Sequence, residues 1–159
     1  LKTADELGLS AEQFSALHST LAALKAGTIV HLDENANTDI LPDDPKRLFF
    51  NMDSWNDSIY GGEDYDNHCG SVCCIGGTAE FIAGRTLFEN IRFYHGDNDK
   101  IKNLRYLFFP WEHPLYDDNH HTIDGNGITL EQAIQALTNY LETGDSQWPS
   151  IYAGKSDWI

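Results

Sequence analysis

The stretch TLEQAIQALTNYLETG, residues 129 to 144, leaves the chain little choice of local structure. Leu130, Ala133, Ile134, Leu137, Tyr140 and Leu141 recur at the three- and four-residue spacing that places them on one face of an α-helix. Thr129 stands where an N-cap hydroxyl is needed, Gln132 completes a capping box three residues later, and Gly144 can end the helix in the left-handed conformation. An isolated helix of this length is marginal in water, so its apolar face demands partners from the rest of the chain.

A second stretch, SAEQFSALHSTLAALKAG, repeats the design. Ser10 and Gln13 form the box, Phe14, Leu17, Leu21 and Leu24 form the stripe, and Gly27 closes a helix expected over 11–26. Val72, Ile75, Ala79, Ile82 and Ala83 predict a third helix over 72–84, with Ser71 as cap and Gly84 as stop. Ile101, Leu104, Leu107 and Phe108 predict a fourth, capped by Asp99 and broken by Pro110. LFFNMDSW reads as an edge strand or an extended segment pinned by its aromatics.

The polar, Pro- and Asp-rich residues 27–47 and the turn-rich residues 110–128 read as long surface connections. The expectation is one mainly α, compact helical domain over residues 1–159, with at most a short strand pair near Phe49 to Asp53. Its 159 residues suffice to bury a core without disulfides or metals. The tail beyond Gly144 carries Trp148 and Trp158 and is expected to wrap back on the body.

Ten basic against 25 acidic side chains give a net charge of −15, a field that repels nucleic acid and anionic membranes. Strong acidity suits solubility, a basic protein partner or mimicry of a polyanion. There is no run of eighteen apolar residues and no basic-then-apolar leader, so neither a membrane span nor a signal peptide is expected. An odd number of cysteines, three, argues for reduced thiols, and with them a cytoplasmic setting.

All three cysteines fall within six residues of HCGSVCCIGGTAEF, positions 68 to 81. Cys69, Cys73 and Cys74 with His68 are ligand types that zinc prefers, yet no second cysteine pair follows. The remaining ligands would have to come from His95, His113, His120 or His121. A thiol at a helix N-terminus has its thiolate stabilised, which makes Cys69 or Cys74 a candidate nucleophile with His68, His95, His113, His120 or His121 as base. The alternative for the same residues is a packing joint, because free cysteine is among the most buried residue types. Gly76 and Gly77, each costing about 1 kcal/mol inside a helix, fit a place where another element approaches closely.

Asp117, Asp118, His120 and His121 in DDNHHTID could hold a divalent ion, or simply form a solvated loop. DGNGITLEQ is not a calcium loop in the register that puts Gly127 sixth, since the first and twelfth positions then fall on Thr122 and Ala133. No cofactor is expected.

The order FNMDSW, CGSVCCIGG, LFFPW and ITLEQAIQALTNYLETGDSQW resembles the pattern of a widespread group of small bacterial and phage proteins of unknown function. The matching positions include Phe50, Met52, Trp55, Cys69, Gly70, Ser71, Cys74, Ile75, Gly77, Phe108, Pro110 and Trp148, over roughly residues 48 to 149. Gly76 stands where that group usually has alanine, and the segment from Asp117 to Gly127 is longer and more acidic. The resemblance implies a largely helical intracellular domain, singles out Cys69 and Cys74, and brings no catalytic residue with it. The expected function is a non-enzymatic acidic module that contacts another protein. A cysteine-dependent hydrolase or transferase and a metal-bound structural module are the alternatives.

Overall fold

The computed structural model describes residues 1–31, 48–50, 52, 57–58, 71–112 and 128–152. Seven helices dominate them: α1 (Ala4–Leu7), α2 (Ala11–Ala26), α3 (Ile75–Ala83), α4 (Glu89–Arg92), α5 (Asp99–Phe108), α6 (Leu130–Thr143) and α7 (Trp148–Tyr152). Four strands of two or three residues join them: β1 (Val30–His31), β2 (Leu48–Phe50), β3 (Asp57–Ser58) and β4 (Ser71–Cys73). The chain is mainly α, as its helical periodicity requires.

The two longest helices form where their caps place them. Ser10 Oγ accepts from the Gln13 amide at 3.1 Å while Gln13 Oε1 accepts from the Ser10 amide at 2.9 Å. Thr129 and Gln132 repeat the exchange at 3.2 and 2.9 Å. Gly27 and Gly144 end these helices at φ 73° and 85°, where a Cβ would be strained. The short α1 carries a third such box, Thr3 with Glu6.

The buried face of α2 differs from the expected stripe. Gln13, Ala16, Leu17, Thr20 and Leu24 face inward, while Phe14 and Leu21 lie half-buried at the flank. The reason is tertiary: α2 packs chiefly on α3, whose buried face is Ile75, Gly76, Gly77, Thr78 and Ala79. Small residues on both faces let two backbones approach, so α2 is rotated toward its own small side chains. Gln13 does a second job there, donating from Nε2 to the Leu87 carbonyl at 2.8 Å.

Three expectations are corrected. The third helix starts at Ile75 rather than residue 72. Ser71 is not its cap, because Ser71, Val72 and Cys73 pair in β4 with Leu48, Phe49 and Phe50 of β2. Backbone pairing there outweighs the helical spacing of Val72, and the last two residues of that helix, Ile82 and Ala83, are exposed. The fourth helix is capped by Asn98, whose Oδ1 accepts from the Lys100 and Ile101 amides, so Asp99 is its first residue. The stop at Pro110 holds, and that residue opens a 3-10 turn through Glu112.

The strand pair becomes a four-stranded sheet in the order β1-β2-β4-β3. β1, β2 and β4 run parallel, with Phe49 opposite Val30 and Val72, while β3 is antiparallel to β4. Two stretches read as surface connections therefore contribute to the body. Ile29 is buried and Val30–His31 is a strand, while Ile128 is fully buried. Residues 32–47 and 113–127 lie outside the described residues.

The core gathers Leu17, Ile75, Leu104, Leu107, Phe108, Leu137, Tyr140, Leu141 and Trp148 from every helix longer than one turn, with Phe50 of β2 and Phe88 just ahead of α4. The one-turn helix α4 is fastened at both ends by its neighbours. Glu80 Oε2 accepts from the Leu87 and Phe88 amides at 2.6 and 3.0 Å, just ahead of it. Arg105 donates to the Ile91 and Arg92 carbonyls at its other end and makes a forked pair with Glu112 at 2.7–3.1 Å. The same guanidinium lies over the Phe109 ring, 5.0 Å from its centroid.

A planar fork with five donors can do all this at once, and an ammonium cannot. Arg105→Lys is therefore expected to lower unfolding free energy by about 1–2 kcal/mol, measured by urea denaturation, although charge is conserved. An unchanged midpoint would show that the clasp contributes nothing net.

Candidate functional site

The cysteine-bearing segment forms a strand-to-helix junction. β4 ends at Cys73, and Cys74 occupies the N-cap of α3 in extended conformation, φ −77° and ψ −171°. Cys73 therefore lies on a strand, with its backbone opposite Phe50, and Cys74 begins the helix. The two do not share a helix, contrary to the reading that put residues 72–84 in one.

Cys74 is 2% exposed and free. Burial pushes its thiol pKa up to about 11. The amides of Gly77 and Gly76 and the charge of Arg92 pull the other way without cancelling it. The helix N-terminus thus does not win the contest at this residue, because desolvation of a thiolate outweighs a partial dipole charge. At neutral pH Cys74 is a protonated, apolar core side chain.

This has a pH consequence with a definite sign. An unfolded thiol ionises near pH 9, whereas the folded one holds its proton to about 11, so between those values the unfolded state binds fewer protons. Stability is fully present below about pH 9 and falls by about 2–3 kcal/mol as the pH rises to 11. Denaturant titrations from pH 7 to 11 are expected to show this loss in the wild-type chain. Cys74→Ala is expected to show a shallower slope over the same window. Equal slopes would mean that the thiol is not held neutral by the fold. Tyr140, whose phenol is buried and also pushed upward, adds a decline at higher pH that both proteins share.

Other candidates are dispersed. His95 is exposed between α4 and α5, and no hydrogen bond joins it to Cys74. Gly77 is buried in the first turn of α3, Pro110 is buried at the start of the 3-10 turn, and Trp148 is fully buried. Ser71 contributes backbone pairing to β4. Trp55, His68, Cys69, Gly70, His113, Asp117, Asp118, His120 and His121 lie outside the described residues. Among the described residues no three His, Cys, Asp or Glu side chains gather as a metal site would require. None of the helices among them is long and apolar enough to cross a membrane.

Phe50, Met52, Cys74, Ile75, Gly77, Phe108, Pro110 and Trp148 are all buried. These are the described positions that the resemblance marks, apart from Ser71, and their common property is packing. The contacts that fasten the structure have no signature in the sequence: Gln13 to Leu87, Glu80 to Leu87 and Phe88, Arg105 to Ile91, and Trp148 Nε1 to the Leu107 carbonyl at 3.1 Å. Each joins residues that no local motif relates. Thr78 Oγ1, Ser146 Oγ and the Tyr140 hydroxyl are buried without a hydrogen-bond partner among the described residues.

Charge is distributed unevenly along the chain. Residues 1–31, 71–112 and 128–152 hold 11 acidic and 7 basic side chains, a net −4. The remaining −11 belongs to other segments, with −8 in residues 32–70 and −3 in residues 113–127. Comparison with protein-family models, curated proteins and solved structures finds no match to this chain.

Proposed function

We propose that the chain is a non-enzymatic interaction module of bacterial or phage origin that binds a basic protein through its acidic segments. The observation that carries this reading is the charge distribution: residues 1–31, 71–112 and 128–152 hold a net −4, while residues 32–70 and 113–127 hold −11 of the −15. Like-signed charge concentrated in a few stretches of the chain raises the local potential and steers cationic partners. Cys74 lends no support to the cysteine-enzyme alternative, since a buried thiol with a raised pKa offers no thiolate to a substrate.

The test is capture from bacterial lysate on the immobilised chain, with bound proteins identified by mass spectrometry. A basic protein is expected to be retained at about 50 mM salt and weakened about tenfold or more at about 500 mM, as charge steering is screened. A variant carrying Asp33→Asn, Glu34→Gln, Asp43→Asn and Asp44→Asn is expected to lose most of that capture while unfolding at the same urea midpoint. Retention that ignores both salt and the neutralised variant would overturn the reading, and so would retention of nothing.

A further inference from the structure

We draw no further inference here: the strongest candidate, the exposed apolar patch in which Phe93 and Leu87 border a shallow open depression beside α4 with Thr86, Glu89 and Asn90, carries nothing because nothing in the structure shows what covers it.

Discussion

Trp148→Ala is expected to cost about 3–5 kcal/mol of unfolding free energy, a large part of what holds a domain of this size together. The side chain is wholly buried at the start of α7, and its indole N–H donates to the Leu107 carbonyl in α5. Its loss combines the missing transfer energy of the largest side chain in the core with a cavity the surrounding helices fill only in part. Trp148→Phe separates the two contributions, since it retains much of the apolar volume and removes the donor. It is expected to cost about 1–3 kcal/mol. Urea denaturation of both variants checks the ranking. Two near-wild-type proteins would show that α7 is peripheral, and two equal losses would assign the whole effect to the hydrogen bond.

The backbone shows how the chain delivers that side chain. Gln147 has φ 58°, the single non-glycine residue at positive φ among those described, and its amide donates to Asp145 Oδ1 at 2.9 Å. A conformation that costs an ordinary residue about 1 kcal/mol persists because the burial of Trp148 more than offsets it.

A comparable loss, about 3–5 kcal/mol, is expected for Phe88→Ala. Phe88 is fully buried ahead of α4 and meets Phe108 of α5 edge to face, with ring centroids 4.9 Å apart and planes at 71°. Its amide is held by Glu80, so the ring cannot follow the chain away from the core without breaking that bond as well. A double-mutant cycle with Phe108→Ala is expected to return a coupling of about 0.5–1.5 kcal/mol, the usual range for such aromatic pairs. Strict additivity would mean that the rings contribute only through the area each buries.

Local signals were decisive where the physics is local. Ser10 with Gln13 and Thr129 with Gln132 satisfy helix-end amides within three residues, and Gly27 and Gly144 exit through a conformation that glycine adopts cheaply. All four helix ends were therefore legible. The choice between Asn98 and Asp99 was not, because both side chains can cap and one residue of register separates them. The sheet was largely illegible. Strands of two or three residues have no period to read, and parallel pairing of Val30, Phe49 and Val72 joins residues far apart in the chain.

The same division runs through the cysteine segment. Its residues alone placed a helix here but began it at residue 72 with Ser71 as cap, whereas α3 begins at Ile75 with Gly76 and Gly77 buried in its first turn. Whether a thiol at that start is a nucleophile or a core side chain depends on desolvation against dipole, and desolvation is set by what packs over it. The sequence by itself thus determined the mainly helical class, the two capped helices and the acidic field, since these follow from short-range bonding, periodicity and counted charge. Tertiary structure alone decided the rotation of α2, the strand that displaced the first turn of α3, the fastening of α4 by Glu80 and Arg105, and the neutrality of Cys74. Each of these turns on which distant residues are brought to exclude water from a given atom.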